Sequence, residues 1–379
     1  MTSAIISSAV KAEPNETMKV HRHIGKIISK LLLVVNVIVA AMLLLSAWGG
    51  YINPNTFGWE GSLALLFPFL VLLSFLFMAG WLVVQSRRWV VSFCALILCV
   101  FQLRTYCPIN MPQPVPKGAI KVVSYNTYGL GWGLKDSVIY KQMMDYLRNS
   151  DADLFCAQES NYNLGHKSTV EEAVAHWKYR DSVFIPKSCN ALTLFSNYPI
   201  LNRHVIHSSS PGHVCVAYNV KIEGDTVVVV NCHFVSNAIN PEDKATYQKI
   251  VTISDRDSTS EDILRLGRKV NDAGLRRAKQ ADSLALYLEQ QGDRPIIVCG
   301  DFNETPLSYV HTRLCRLLND AYTASGNGPG ISYHLNKMYF RLDNILCSSH
   351  WRSFGARVDN RQKMSDHYPI EAWLKRINK

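Results

Sequence analysis

The chain has 379 residues, with 40 Lys+Arg against 30 Asp+Glu and a formal net charge of +10, room enough for one large domain or two medium ones. Charged residues make up only 18% and hydrophobic residues 48%, and the mean hydropathy is zero, which excludes a disordered basic tail or a histone-like binder. Ten cysteines are too dilute for a disulfide-built fold.

The averages hide two parts. After a polar segment, 1–30, come three uncharged apolar runs: 31–48 (LLLVVNVIVAAMLLLSAW), 62–84 (SLALLFPFLVLLSFLFMAGWLVV) and 89–103 (WVVSFCALILCVFQL). A bilayer core needs about 20 apolar residues per helix, so 31–103 is expected to form three transmembrane spans, the third short and bounded closely by Arg87, Arg88 and Arg104. Pro68 and Gly80 inside the second run are tolerated in membrane helices. The 30-residue polar lead and the two following apolar runs argue against a cleaved signal peptide.

Lys11, Lys19, Arg22, Lys26, Lys30, Arg87 and Arg88 lie on one side of these spans. Arg104, Lys117 and Lys121 lie on the other. The excess predicts a cytoplasmic N-terminus and, after three spans, a plasma (inner) membrane protein whose C-terminal part lies outside the cytoplasm. Residues 1–103 carry 7 Lys+Arg against 3 Asp+Glu, and 104–379 carry 33 against 27, so the basicity is largely a topology signal. The stretch 104–117, with four prolines, reads as a semi-rigid linker.

From 118 onward, short β-rich runs recur at 120–125, 153–158, 191–196, 213–222, 226–234, 295–302, 341–347 and 369–374. Helical patterns occupy 136–149, 258–270 and 275–291, and 236–275 is polar and strand-free. Many strands with few helices between them predict an α+β sandwich, two sheets face to face with helices outside.

Six polar clusters stand at strand ends: Ser124-Tyr125-Asn126, Gln158-Glu159-Ser160, Asn231-Cys232-His233, Gly300-Asp301-Phe302-Asn303, Arg341-Leu342-Asp343 and Ser365-Asp366-His367. Any one of them would be unremarkable as a solvated strand end. Together they supply hard oxygen donors suited to Mg²⁺, with Mn²⁺ as an alternative, and histidines that titrate near neutrality. No thiolate–histidine spacing for zinc occurs. The set suits hydrolysis at phosphorus.

The ordered strings YNTYG, QES, NCHF, GDFN, LDNIL and SDHYP resemble the endonuclease/exonuclease/phosphatase (DNase I-like) superfamily over about residues 118–377. The resemblance implies a four-layer α/β/β/α sandwich for 118–379. Position by position, it implies Glu159 as principal metal ligand with Asn126 beside it, and Asp366 as a further metal-site carboxylate. Asp301 would orient or deprotonate the attacking water, and Asn303 and His367 would contact phosphate. Asp343 would hold and charge His367, and His233 would act near the leaving group. A histidinium paired with a carboxylate has a raised pKa and stays cationic beside phosphate. The chain departs from the pattern at Asn344 after Asp343, at Ser196-Asn197-Tyr198-Pro199-Ile200, which lacks an arginine, and at Ala152 in place of proline.

The expected function is a membrane-anchored, divalent-metal-dependent phosphoester hydrolase, its substrate a nucleic acid, a phospholipid or a small phosphoester. The competing reading is an inactive membrane-tethered binding module, which should have lost at least one of Glu159, Asp301, Asp343, Asp366 or His367. A transporter is disfavoured, because Asn36 is almost the only intramembrane polar residue of note. The run Arg265, Arg268, Lys269, Arg276, Arg277 and Lys279 reads as a solvated helix face or a phosphate-tracking patch. Cys156, Cys215, Cys232, Cys299 and Cys347 read as buried strand residues, leaving Cys107, Cys189 and Cys315 as candidates for pairing.

Overall fold

The computed structural model describes residues 16–56, 60–161, 167–185, 190–206, 213–237, 242–243, 245–246, 260–335 and 338–377. They fall into two compact units, one made of the chain up to Leu44 with Pro68–Leu98, the other of Leu45–Phe67 with Cys99 onward. Two stretches, His23–Tyr51 and Leu63–Val83, are long and apolar enough to cross a membrane. The first comprises most of helix α1 (Glu16–Trp48) and the 3-10 turn Gly49–Tyr51 that continues it, and the second lies in α2 (Glu60–Val83). The third apolar run is a bent pair, α3 (Trp89–Leu98) and α4 (Val100–Tyr106), meeting at 61°. It counts as a third span only if the pair is taken as one. Within the first unit Ser92 Oγ donates to Asn36 Oδ1 at 2.7 Å, giving the buried amide oxygen of α1 a partner on α3.

The C-terminal part is the expected sandwich. One sheet runs β11-β12-β1-β2-β4-β3, from strands Trp351–Val358, Ile370–Arg376, Ile120–Asn126, Leu154–Gln158, Ala191–Ser196 and Tyr179–Phe184. The other runs β5-β6-β7-β8-β10-β9, from Ile200–Ile206, Cys215–Ile222, Asp225–His233, Ile296–Asp301, Asp343–Cys347 and Asn319–Asp320. Between the sheets lies a core of Val122, Leu154, Leu194, Val229, Ile297, Ile345 and their neighbours. Helices α5 (Ser137–Arg148) and α6 (Lys167–Ala173) cover the first sheet through Met143, Met144, Leu147 and Val170. Helices α7 (Ser260–Glu289) and α8 (Tyr309–Cys315) cover the second through Leu284, Leu288, Val310 and Leu314. A further short helix, α9, spans Ala321–Ser325.

The central strands are buried on both faces, as continuous apolar runs require. A polar seam also crosses between the sheets: Gln158 Nε2 donates to Asn231 Oδ1 at 2.7 Å, and Asn231 Nδ2 to the carbonyls of Ala157 and Thr193 at 3.0 Å. Buried amides pair only in correct register, so the seam fixes one sheet against the other.

The two helical patterns at 258–270 and 275–291 are one helix, α7. Gly274 inside it costs about 1 kcal/mol against alanine. The next turn offsets this with a buried ion pair, Arg277 Nε to Glu304 Oε1 at 2.8 Å. The described cysteines are all free, Cys107 and Cys315 among them, and Cys189 lies outside the described residues. The 105–117 stretch is pinned to the sandwich: Arg341 Nη2 donates to Thr105 O at 2.6 Å and Asn110 Nδ2 to Gly326 O at 2.6 Å.

Candidate active site

Topology brings the polar strand ends to one edge. Strands β1 and β2 run parallel, as do β7 and β8, so Asn126, Glu159, His233 and Asp301 leave the sheets on the same side. Strand β10 runs antiparallel to β8 and begins there, placing Asp343 opposite Asp301. Strand β12 runs antiparallel to β1, so the Ser365-Asp366-His367 loop ahead of it arrives at the same edge. His233 and Asp301 are register partners. Gly300 permits this approach, since a Cβ there would lie 2.1 Å from Cys232 O.

At the centre, Asn126 Nδ2 donates to Glu159 Oε1 and to Asp301 Oδ2, both at 3.1 Å. His367 Nε2 lies 3.6 Å from Asp301 Oδ2, and its Nδ1 is 2.7 Å from Asp343 Oδ2. The backbone of Asn303 donates to Asp301 Oδ1 at 2.8 Å, and its side chain to Phe234 O at 3.0 Å. His233 Nε2 stands 3.6 Å from Glu159 Oε1 and 3.8 Å from Asp301 Oδ2, carboxylate neighbours the sequence did not disclose. Asp366 is near enough that its charge raises the pKa of Glu159. All eight residues singled out in the sequence therefore converge.

Glu159 and Asn303 hold left-handed backbone, φ 49° and 51°. Non-glycine residues there store strain of order 1–3 kcal/mol, and such strain concentrates at working sites.

The charges are tuned against one another. Burial would discharge His367, but Asp343 and Asp301, with the hydrogen bond to Asp343, hold its pKa well above the ordinary value and keep the ring cationic. Burial lowers the pKa of His233, aided by the charge of His367 and opposed by Asp301. Burial raises Asp301, with Asp343 adding to the effect while His367, His233 and Asn126 oppose it. Glu159 is pushed up to about 7 by burial and by Asp366 and Asp301, against Asn126 and His367.

Asp301, Asp343 and His367 have ligand atoms within 4.8 Å of one another. His367 Nδ1 and Asp343 Oδ2 already satisfy each other there, and a cationic ring repels a metal. The Glu159–Asn126 side offers hard oxygens, and Glu159 carries a proton affinity that a divalent cation would relieve. The residues present fit such an ion on that side.

Several participants escaped the sequence reading. Ser332 Oγ accepts from the backbones of Leu342 and Asp343 at 3.0 Å each, fixing the carboxylate behind His367. Ser365 Oγ donates to Asn126 O at 2.7 Å, tying the His367 loop to β1. Tyr333 sets its ring edge against His367 at 5.0 Å, and His334 stacks on Tyr368 at 3.8 Å. Tyr128 lies at the site, its pKa raised by burial and by Asp366 and Glu159, whereas Trp132 packs on Tyr140. The basic run of α7 is no continuous patch, since Arg277 is buried against Glu304 and Lys269 bonds to Asp243.

A family model described as Endonuclease/Exonuclease/phosphatase family matches residues 123–367. The chain belongs to that family. Its members are phosphoester hydrolases, generally dependent on a divalent metal. A second model, a domain of unknown function, matches residues 29–106. No curated protein matches the chain. Among solved structures, the human nocturnin catalytic domain with bound sulfate is 17% identical, covering 70% of this chain and 97% of its own, with a TM-score of 0.48. A beta toxin from Staphylococcus aureus is 17% identical, covering 68% and 100%, at a TM-score of 0.46. A mannosyl-6-phosphatase from Bacteroides thetaiotaomicron is 17% identical, covering 68% and 99%, at a TM-score of 0.43.

Proposed function

We propose that the protein is a membrane-anchored, Mg²⁺-dependent phosphoester hydrolase whose catalytic domain lies outside the cytoplasm. The observation that carries this reading is the convergence of Asn126, Glu159, His233, Asp301, Asp343 and His367 around one point at the sheet edge. An inactive binding module has no need of so costly a set of buried charges.

A divalent cation held by Glu159 and Asn126, with Asp366 close by, would supply Lewis-acid stabilisation of phosphoryl charge. The remaining work belongs to side chains. Asp301, held by the Asn303 backbone and by Asn126, positions the attacking water and takes its proton. His367, kept cationic by Asp343, faces the phosphoryl oxygens and offsets charge as it develops. The amide of Asn303, with one N–H on Phe234 O and one free, adds a neutral contact to phosphate, whereas both N–H groups of Asn126 are held by Glu159 and Asp301. His233 faces the leaving group. Held neutral by burial, it must gain a proton before it can donate one, which confines that role to the acid side of the profile.

Nucleic acid, phospholipid and small phosphoester remain the substrate classes within this proposal. The charge of the C-terminal part is too mild to select nucleic acid. The test is hydrolysis of bis(p-nitrophenyl) phosphate by the full chain in Mg²⁺. Asp301→Ala and His367→Ala are expected to lose activity by about 10²–10⁴-fold each. Near-normal turnover in either, with circular dichroism unchanged, would remove the assignment.

A further inference from the structure

Away from the catalytic edge, a cavity of about 440 Å³ opens in the second compact unit. Its walls include Ala47 and Tyr51 at the end of the first apolar stretch, Gln102 and Arg104 of α4, and His311 and Arg316 at α8. The walls are built to meet. Gly50 brings bare backbone against α8, where a Cβ would lie 2.4 Å from Leu307 O and 2.7 Å from Thr312 Oγ1. Thr105, also lining the cavity, is held by Arg341.

Three observations point to an occupant. Gln102 is buried, with 5% exposure, and its Oε1 has no hydrogen-bond donor. Such an acceptor calls for a hydroxyl or amine from outside the chain. Arg104 and Arg316 stand at the same cavity, and among the described residues no carboxylate pairs with either; Arg104 Nη2 donates only to the neutral Asn110 Oδ1, at 3.2 Å. Among the described lining residues Asp320 is the one acid, and it is already balanced by Arg341 at 3.5 Å, by His311 Nε2 at 3.2 Å and by hydrogen bonds from Thr323 Oγ1 at 2.6 Å and the Tyr322 backbone at 2.8 Å. The cavity is therefore net cationic with a buried acceptor inside it. Finally, it sits where the apolar helices end. Trp48 and Tyr51 pack there at 5.4 Å, the residue types that mark a bilayer–water boundary.

We propose that this cavity seats the headgroup of an anionic glycerophospholipid, its phosphate between Arg104 and Arg316 and a headgroup hydroxyl on Gln102 Oε1. Ala47 and Phe101 offer apolar surface to the first carbons of the lipid. The inference rests on reading the apolar helices as a membrane anchor, and not on the chemistry of the catalytic edge. A lipid bound here would brace the second unit where its own helical ends meet α8, without entering the reaction.

The experiment uses the delipidated full chain in detergent, titrated with dioleoyl phosphatidylglycerol or phosphatidylcholine and read by native mass spectrometry. Phosphatidylglycerol is expected to be retained over phosphatidylcholine. Arg316→Gln, an exposed change that leaves packing alone, should weaken retention about fivefold, in line with one lost surface cation. Gln102→Leu should weaken it as well, while hydrolysis of a soluble phosphodiester stays unchanged in both variants. Equal retention of the two lipids, unaltered retention in the variants, or competition by glycerol 3-phosphate as strong as by the lipid itself would overturn the proposal. Alkaline carbonate extraction of membranes tests the anchor separately. A chain that washes off ends the anchor reading and the lipid site with it, whereas a chain that stays but shows no preference ends the lipid site alone.

Discussion

Asp343 and His367 make the sharpest claim at the scale of single residues. The ring stays cationic because a buried carboxylate sits 2.7 Å from Nδ1. Asp343→Asn keeps the shape and removes the charge, so the His367 pKa must fall. The alkaline limb of the pH–rate profile should then move to lower pH, with kcat down by about 10²-fold or more. An unmoved limb would show that His367 is not the group titrating there.

Glu159 gives the second residue-level prediction. Its folded pKa, about 7, lies above its ordinary value, so the folded chain holds a proton that the unfolded chain has already released. Stability without divalent ions therefore falls as pH rises from the ordinary carboxylate pKa toward about 7. Mg²⁺ should raise Tm more at pH about 7.5 than at pH about 5, since it competes with that proton, and Glu159→Gln should abolish the difference. Thermal scans with and without chelator at the two pH values check this.

The motif residues were legible because each occupies a short string at a strand end, where chemistry and position coincide. Ser332, Tyr333 and the carboxylates facing His233 were not, because those contacts join segments far apart in sequence. A serine 11 residues before Asp343 carries no local sign that it accepts that residue's backbone N–H.

Among the elements, the four strands without a clear sequence signal are β3, β5, β9 and β11. They are the four sheet edges. Central strands are buried on both faces and read as apolar runs, whereas edge strands meet water and carry polar residues. Asn202, Arg203 and His204 are exposed along β5, and β11 departs from regular pairing between Phe354 and Arg357. The sandwich was legible from its middle outward, and its borders blurred for that physical reason.

Two element-level outcomes follow from packing. Gly300→Ala would force a Cβ into Cys232 O, so β7 and β8 must part, lowering stability by about 1–3 kcal/mol and displacing Asp301 from His233. Activity should fall even where the fold survives. Arg277 is buried on α7 and bonded both to Glu304 and to Val235 O, two residues beyond His233. Arg277→Met would strand a buried carboxylate and cost about 3–5 kcal/mol, whereas adding Glu304→Leu should recover much of it. Urea denaturation of the two variants distinguishes these outcomes.

On the scale of the whole molecule, a zero mean hydropathy resolves into apolar helices and a sandwich of the endonuclease/exonuclease/phosphatase family. The third apolar run, expected as a short span, is a pair of helices bent by 61°. Charge counting along a sequence does not sense such a bend, yet the topology depends on whether the pair crosses. A reporter fused after the sandwich should read as non-cytoplasmic; a cytoplasmic reading would reverse the orientation while leaving the catalytic proposal untouched.

The central claim is metal-dependent hydrolysis at the Glu159–Asp301–His367 edge. It is tested most directly by the rate of phosphodiester cleavage by the full chain, stripped with chelator and then titrated with Mg²⁺. Turnover is expected to be absent in chelator, to recover and saturate with Mg²⁺ in the wild type, and to stay absent in Asp301→Ala. Equal turnover with and without the metal, or full recovery in that variant, would contradict the claim.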